Sequence, residues 1–217
     1  MSKNNGQRTY EPFRNGIRIL QDQMENAKEA DNLDSLRGVE GVGASAYFGL
    51  FDQMILRDKD NFYYHSRSRR PPMDRVNALL SFVYVLLAHD CASALECVGL
   101  DSYVGFLHRD KPGRTSLALD IMEELRPCLA DRFVLKAINN RIVQKKDFEI
   151  TESGSVLLTD EGRKKLLKAW QERKRETIKH PYLQEKIAWG MVPYAQALLL
   201  ARTLRGDLDG YPPFFWK

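Results

Sequence analysis

The sequence is poor in cysteine and has no long apolar run. Its 217 residues include three cysteines, Cys91, Cys97 and Cys128, and none of them belongs to a C-x-x-C pair. This pattern disfavours a disulfide framework and a zinc knuckle, and it is typical of a protein from a reducing cytoplasm. The polar N-terminus MSKNNGQRTYEPF has no apolar signal region, and the longest apolar run, ALLSFVYVLLA, is too short to span a bilayer. We therefore expect a cytoplasmic protein that does not insert into a membrane.

The net charge is also only weakly positive. The chain carries 33 Lys and Arg against 29 Asp and Glu, a formal charge of +4 at pH 7. This balance permits a nucleic-acid partner but does not by itself indicate one. No internal repeat or low-complexity tract is evident, and 43% hydrophobic residues are enough for a sizeable core. The chain therefore has the composition of a globular protein.

Apolar residues recur at helical spacing along most of the chain, which predicts a mainly α fold, a helical bundle with one small β-hairpin. We expect residues 1–12 to be disordered or a linker and residues 13–217 to form one helical domain. The predicted helices span about 13–30, 34–56, 72–98, 115–125, 131–140, 161–180 and 181–205. Short β-prone runs flank the turn sequence ESGS, so the hairpin is expected at about 141–158.

The helix predicted at 115–125 combines apolar residues with three carboxylates. Asp120, Glu123 and Glu124 are spaced i, i+3 and i+4, which places them on one side of the helix, where like charges repel by roughly 0.2–0.5 kcal/mol a pair. A positive partner should compensate them. The candidates are a divalent metal ion and three arginines: Arg114, Arg126 and Arg132. An acidic pair on a solvated helix face is the alternative interpretation.

Two further residues bear on the metal hypothesis. His108 lies on a glycine-flanked loop just upstream of the carboxylates, and Glu40 lies among glycines near a helix start. If they converge with the carboxylates, one imidazole and two or more carboxylates would suit Mn²⁺ or Mg²⁺ and would differ from a typical zinc site. Taken alone, His108 is equally explained as a hydrogen-bonding residue, and Glu40 as a complement to the helix dipole.

Two groups of basic residues flank these positions. The first group is Arg67, Arg69 and Arg70, and the second, around His108, is Arg109, Lys111 and Arg114. Cations beside a carboxylate site are expected if the substrate is a polyanion, because they hold phosphates next to the one that a metal binds. The alternative interpretation is a solvated basic loop.

Several long motifs resemble one protein family. The motifs, in order, are LRGVEG..ASAYF, SRRPPMDRVNALLSF.Y.LL, VGLDSYVGFLHRDKPGRTSLALDIMEELRP, WQERK and YPPF. From about residue 13 to the C-terminus they resemble the CRISPR-associated endonuclease and integrase of spacer acquisition, the first-numbered Cas protein. The amino-acid sequence of these motifs is most similar to the subtype I-C branch.

The resemblance implies a metal site and its residues. The family binds a divalent metal, Mn²⁺ or Mg²⁺, and the matching ligands here are Glu40, His108 and Glu123. Many members have aspartate at the position of Glu123, and Asp120 matches a supporting carboxylate or an alternative ligand. These four residues would be catalytic. Lys111 matches a basic position that approaches DNA phosphates.

The resemblance also implies a reaction and partners. In the family, a DNA 3′-hydroxyl is transesterified into the CRISPR repeat, and the proteins act as homodimers with DNA, the second-numbered Cas protein and the fourth-numbered Cas nuclease. The family usually begins with a β-rich N-terminal domain, which this sequence does not show. We therefore expect the C-terminal helical catalytic domain alone. Two alternatives remain open: a truncated, catalytically silent DNA-binding or assembly module, and a protein–protein adaptor that uses the aromatic tail YPPFFWK.

Overall fold

The computed structural model describes residues 5–109 and 111–216, and the side chains from residue 11 onward. The chain divides into two compact units, residues 1–68 and 69–217. The prediction of a mainly α fold is confirmed, because seven α-helices and four three-residue strands make up the regular structure of the described residues.

The first unit is built on two helices. They are α1 (Asn5–Lys28) and α2 (Leu33–Gly49). The side chain of Asn32 caps α2 by accepting hydrogen bonds from the backbone N–H groups of Asp34 at 3.0 Å and Ser35 at 2.9 Å. The helices run antiparallel, since Gly16 of α1 lies beside Leu50, just after α2, whereas Gly43 within α2 lies beside Leu20, further along α1.

The first unit departs from the predicted element boundaries at two places. Residues 1–4 of the expected linker at 1–12 lie outside the described residues, whereas residues 5–12 lie within α1. Glutamine, arginine and glutamate in this stretch are good helix formers, so the helix extends upstream despite Pro12. The second helix ends at Gly49 rather than near residue 56, and a 3₁₀ turn over Phe51–Met54 follows.

The second unit is organised around one long helix. Its helices are α3 (Arg75–Cys97), α4 (Ser116–Leu125), α5 (Arg132–Asn139), α6 (Asp160–Arg175) and α7 (Val192–Leu204). Eleven residues of α3 are buried, and the helix packs against α4, α5 and α7. By length and composition, α3 is the one helix among the described residues that could cross a membrane. Its packing instead makes it the core of this unit.

Two small antiparallel hairpins complete the second unit. The first pairs β1 (Phe148–Ile150) with β2 (Val156–Leu158), as predicted, and Gly154 adopts φ +79° in its turn. The second pairs β3 (Thr177–Lys179) with β4 (Lys186–Ala188). The prediction of a single hairpin was therefore wrong, as were the predicted end of α6 and start of α7. Helix α6 stops at Arg175 because two β-branched residues and then a proline follow it.

Candidate functional site

The loop before α4 is held on the helix by a single carboxylate. Asp120 Oδ2 accepts hydrogen bonds from the backbone N–H groups of Phe106 at 2.6 Å and Leu107 at 3.1 Å. Its Oδ1 accepts from the backbone N–H of His108 at 3.0 Å and lies 2.7 Å from His108 Nδ1. Four donors thus converge on one side chain, which fixes the position of the histidine relative to the helix.

Gly105 allows this loop to approach α4. A Cβ atom at this position would lie 2.7 Å from Cβ of Ser116 and 3.0 Å from Oδ2 of Asp120. Real Cβ atoms almost never come so close to other atoms, so a larger residue would push the loop away from the carboxylate. The glycine in GF.H is therefore required by close packing rather than by a left-handed backbone.

The contact with Asp120 also determines which nitrogen of His108 is available. Because the carboxylate accepts a hydrogen bond, Nδ1 carries a proton, and in the neutral imidazole Nε2 then keeps its lone pair. A carboxylate behind the histidine is the usual way to orient an imidazole toward a metal ion. With four donors on its two oxygens, Asp120 has its acceptor capacity largely occupied.

Glu123 lies on the open side of the histidine. Its Oε1 is 4.0 Å from Nε2 of His108, and the side chains of His108 and Glu123 are 20% and 28% exposed. Arg126 Nη1 lies 2.5 Å from both carboxylate oxygens. Arg126 is thus the positive partner among the three arginines considered from the sequence.

The donor set around His108 fits a hard divalent cation. It offers one imidazole nitrogen and carboxylate oxygen, without a thiolate, which suits Mn²⁺ or Mg²⁺ rather than structural Zn²⁺. Across residues 5–109 and 111–216, no group of three His, Cys, Asp or Glu side chains is arranged to hold a metal ion. Within these residues, His108 and Glu123 therefore do not form a complete metal cage.

Glu40 belongs to the first unit. It is exposed on α2, and the neighbouring Gly38 and Gly41 face open space, while Gly43 packs on α1. Its place in the metal site stays a prediction from the resemblance. The structure thus brings together His108, Asp120 and Glu123 within the second unit.

The basic residues remain candidates for phosphate contacts. Arg69, Arg70, Arg109 and Lys111 are exposed, whereas Arg67 and Arg114 are half-buried. Arg67 is the penultimate residue of the first unit, and its Nη1 donates to the carbonyl of Ser68 at 2.9 Å. Residue 110, between Arg109 and Lys111, lies outside the described residues. Exposure of four of the six cations is compatible with binding a polyanion, and their role stays a prediction.

Glu124 lies in a different environment from the other two carboxylates of α4, Asp120 and Glu123. It accepts hydrogen bonds from the backbone N–H of Phe214 at 2.8 Å and from Gln196 Nε2 at 2.9 Å. Burial raises the pKa of its carboxyl group, and hydrogen bonds from Phe214, Tyr211 and Gln196 oppose that shift. Glu124 therefore anchors the C-terminal tail, whose Phe214 packs on Trp189 of the same unit.

Sequence reasoning missed two buried residues behind Glu123. The ring of Tyr84 on α3 lies under the guanidinium of Arg126, 4.5 Å from Cζ to the ring centroid. The hydroxyl group of Tyr84 donates to Oδ1 of Asp131 at 2.5 Å. The available signal was a charged Asp131 within the apolar sequence CLADRFVL.

Comparisons with known proteins identify the family of the chain. Residues 1–172 match the family model described as CRISPR associated protein Cas1. The chain is 60% identical over 188 residues to a CRISPR-associated endonuclease Cas1 of Rhodospirillum rubrum, covering 87% of this chain and 55% of that protein. It is 47% identical to a Cas1 endonuclease of Leptospira interrogans, covering 100% of this chain and 84% of that protein.

Solved structures share the fold. A Cas1 protein from Thermotoga maritima superposes with a TM-score of 0.77 at 26% identity, covering 96% of this chain and 66% of that one. This chain spans about half the length of the Rhodospirillum relative. The matched family model, the relatives and the fold lead to one conclusion: the chain belongs to the Cas1 family of CRISPR-associated endonucleases.

Proposed function

We propose that this chain is a metal-dependent DNA endonuclease and integrase domain for CRISPR spacer acquisition. The observation that carries the proposal is the arrangement of Asp120, His108 and Glu123, with Nδ1 of the histidine on one carboxylate and Nε2 directed toward the other. His108 and Glu123 would hold Mn²⁺ or Mg²⁺ together with Glu40, whose role rests on the family resemblance.

The proposed reaction is a transesterification. The 3′-hydroxyl oxygen of one DNA strand bonds to a phosphorus of the repeat, the bond to the 3′ oxygen of the target strand breaks, and the proton ends on the leaving oxygen. A bound divalent ion would polarise the phosphate and stabilise the charge that develops on it.

The chain's own residues would orient and bind the reactants. Asp120 holds the histidine in the tautomer that leaves Nε2 unprotonated. Contacts of cationic side chains with phosphates place the DNA backbone without reading its sequence. The six cations proposed for this role are Arg67, Arg69, Arg70, Arg109, Lys111 and Arg114.

The remaining expectations belong to the same proposal. We infer that the chain corresponds to the C-terminal helical domain of a subtype I-C protein and works in the cytoplasm. Its proposed partners are DNA, a second copy of the protein, the second-numbered Cas protein and the fourth-numbered Cas nuclease. The relatives in Rhodospirillum and Leptospira are CRISPR-associated endonucleases, which supports the nuclease half of this proposal.

The test is Mn²⁺-dependent cleavage of a branched DNA duplex by the chain and its variants. We expect His108→Ala and Glu40→Ala to abolish cleavage. His89→Ala is the matched control, because His89 is exposed on α3 and has no part in the proposed site. Full activity of His108→Ala would refute the assignment of the site. DNA affinity without turnover in any divalent metal would instead favour the non-catalytic binding or assembly module.

A further inference from the structure

The carboxylate of Glu123 is the outer end of a line of polar side chains that runs into the core of the second unit. Arg126 binds both of its oxygens at 2.5 Å. The guanidinium of Arg126 lies over the ring of Tyr84, and the hydroxyl of Tyr84 donates to Asp131. Each member thus contacts the next, from a buried aspartate to the proposed metal ligand.

The side chains of this line are buried in the second unit, where removing a charged group from water is costly. Asp131 is 1% exposed and Tyr84 is 9% exposed, and the Arg126 side chain is 13% exposed. Burial and then the charge of Asp131 raise the pKa of Tyr84, so the phenol stays protonated and donates a hydrogen bond to Asp131. Burial alone would lower the pKa of Arg126, but Glu123 and Tyr84 raise it overall, so the guanidinium stays charged. Buried charges of this kind persist when their partners are fixed in place.

The backbone is shaped to build the line. Arg126–Asp131 is a π-helical turn that directly follows α4. Its hydrogen bonds join residues five apart, which brings Arg126 and Asp131 to one face, whereas an α-helix would separate them by about 140°. Both side chains therefore reach Tyr84 on the neighbouring helix. Single π-helical turns inside helices occur frequently at functional sites.

We infer that Arg126, Tyr84 and Asp131 are positioning residues that orient the carboxylate of Glu123 toward Nε2 of His108. The inference rests on the proposed function, since it concerns one of the proposed metal ligands. Asp120 orients His108 from one side, and the Arg126 line orients Glu123 from the other. The two ligands are therefore held 4.0 Å apart by separate supports.

The experiment is to measure Mn²⁺ binding through the electron paramagnetic resonance signal of free Mn²⁺, with thermal melting of the same samples. Arg126→Lys keeps the charge but loses the planar guanidinium, which lies over the ring of Tyr84 while its Nη1 contacts both carboxylate oxygens. Loss of a group that orients a metal ligand typically weakens metal binding 10- to 100-fold, so we expect about a 10-fold weaker affinity for Mn²⁺. Tyr84→Phe keeps the ring and removes the bond to Asp131, and it should weaken binding in the same direction.

Arg163→Lys is the matched control. Arg163 also pairs with a carboxylate three residues away, Asp160, but on an exposed face of α6. This variant should bind Mn²⁺ like the wild type. In a Glu123→Gln background, Arg126→Lys should cause no additional loss, because the residue acts through that carboxylate.

The outcomes separate the proposed metal site from the positioning role of Arg126, Tyr84 and Asp131. If Arg126→Lys and Tyr84→Phe fold and bind Mn²⁺ within twofold of the wild type, the line is only structural and the inference is wrong. The same holds if Arg126→Lys lowers affinity equally with and without Glu123. If the wild type shows no Mn²⁺ binding that depends on His108, the proposed metal site itself fails, and the inference fails with it.

Discussion

Replacing Asp120 with asparagine tests the central contact of the site. The side chain keeps its shape but exchanges one acceptor oxygen for an amide that can only donate. In the structure each carboxylate oxygen of Asp120 accepts from two donors: Phe106 and Leu107 on one side, and the N–H and Nδ1 of His108 on the other. In either amide orientation the donors on one side face another donor, and His108 can relieve its ring contact only by moving its proton to Nε2, which removes the lone pair on that nitrogen.

The magnitude follows from those two lost hydrogen bonds. A buried donor left without an acceptor costs about 1–3 kcal/mol. Asp120 is 12% exposed at its side chain and the loop around it is partly solvated, so the lower end applies to each, and the loss of unfolding free energy is about 2–3 kcal/mol. For a protein of this size that corresponds to a fall in melting temperature of roughly 4–12 °C.

The assay combines thermal melting with Mn²⁺-dependent DNA cleavage. Cleavage should fall at least 10-fold, because the Nδ1 proton of His108 loses its acceptor. Asp101→Asn is the control, since Asp101 accepts one hydrogen bond, from the backbone N–H of Tyr103 at 2.9 Å, which an amide oxygen can also accept. That variant should stay within about 0.5 kcal/mol of the wild type. Unchanged melting and cleavage for Asp120→Asn would refute the claim that Asp120 holds the loop.

Three further predictions concern separate parts of the second unit. Gly105→Ala should lower stability by about 1–3 kcal/mol and reduce cleavage, whereas Gly210→Ala, with open space around it, should not; equal melting of both variants would contradict the close approach of the loop. Trp170→Ala, at a side chain 1% exposed, should cost about 3–5 kcal/mol in urea unfolding; a loss below about 1 kcal/mol would contradict its core position. Burial lowers the pKa of His180, whose Nδ1 accepts from the backbone N–H groups of Tyr182 and Leu183. The unfolded chain therefore takes up a proton first, so stability should be lost as pH falls below about 6.5. His180→Gln should flatten this pH dependence of stability. A profile as steep as that of the wild type would argue against the role of His180.

Much of the site could be anticipated from the sequence because its parts are local. The spacing of Asp120, Glu123 and Glu124 and the position of His108 on a glycine-flanked loop depend on helix geometry and on neighbouring residues. Helix α3 and the first hairpin were found for the same reason, since apolar periodicity and turn residues are readable within a short window. The second hairpin was missed because its strands lie inside the segments predicted as helices at 161–180 and 181–205, with no glycine turn between them.

By itself, the sequence determined the mainly helical fold, the candidate residues and their family resemblance. Only the tertiary structure decided how the carboxylates divide their work. Asp120 binds the histidine loop, Glu123 faces Nε2 of His108, and Glu124 anchors the C-terminal tail. It also decided that Arg126 is the compensating charge and that a buried tyrosine and aspartate stand behind it. The physical reason is that the sequence pattern shows which side chains share a helix face, because they are three or four residues apart. It does not show their partners, most of which come from distant segments that only packing brings near.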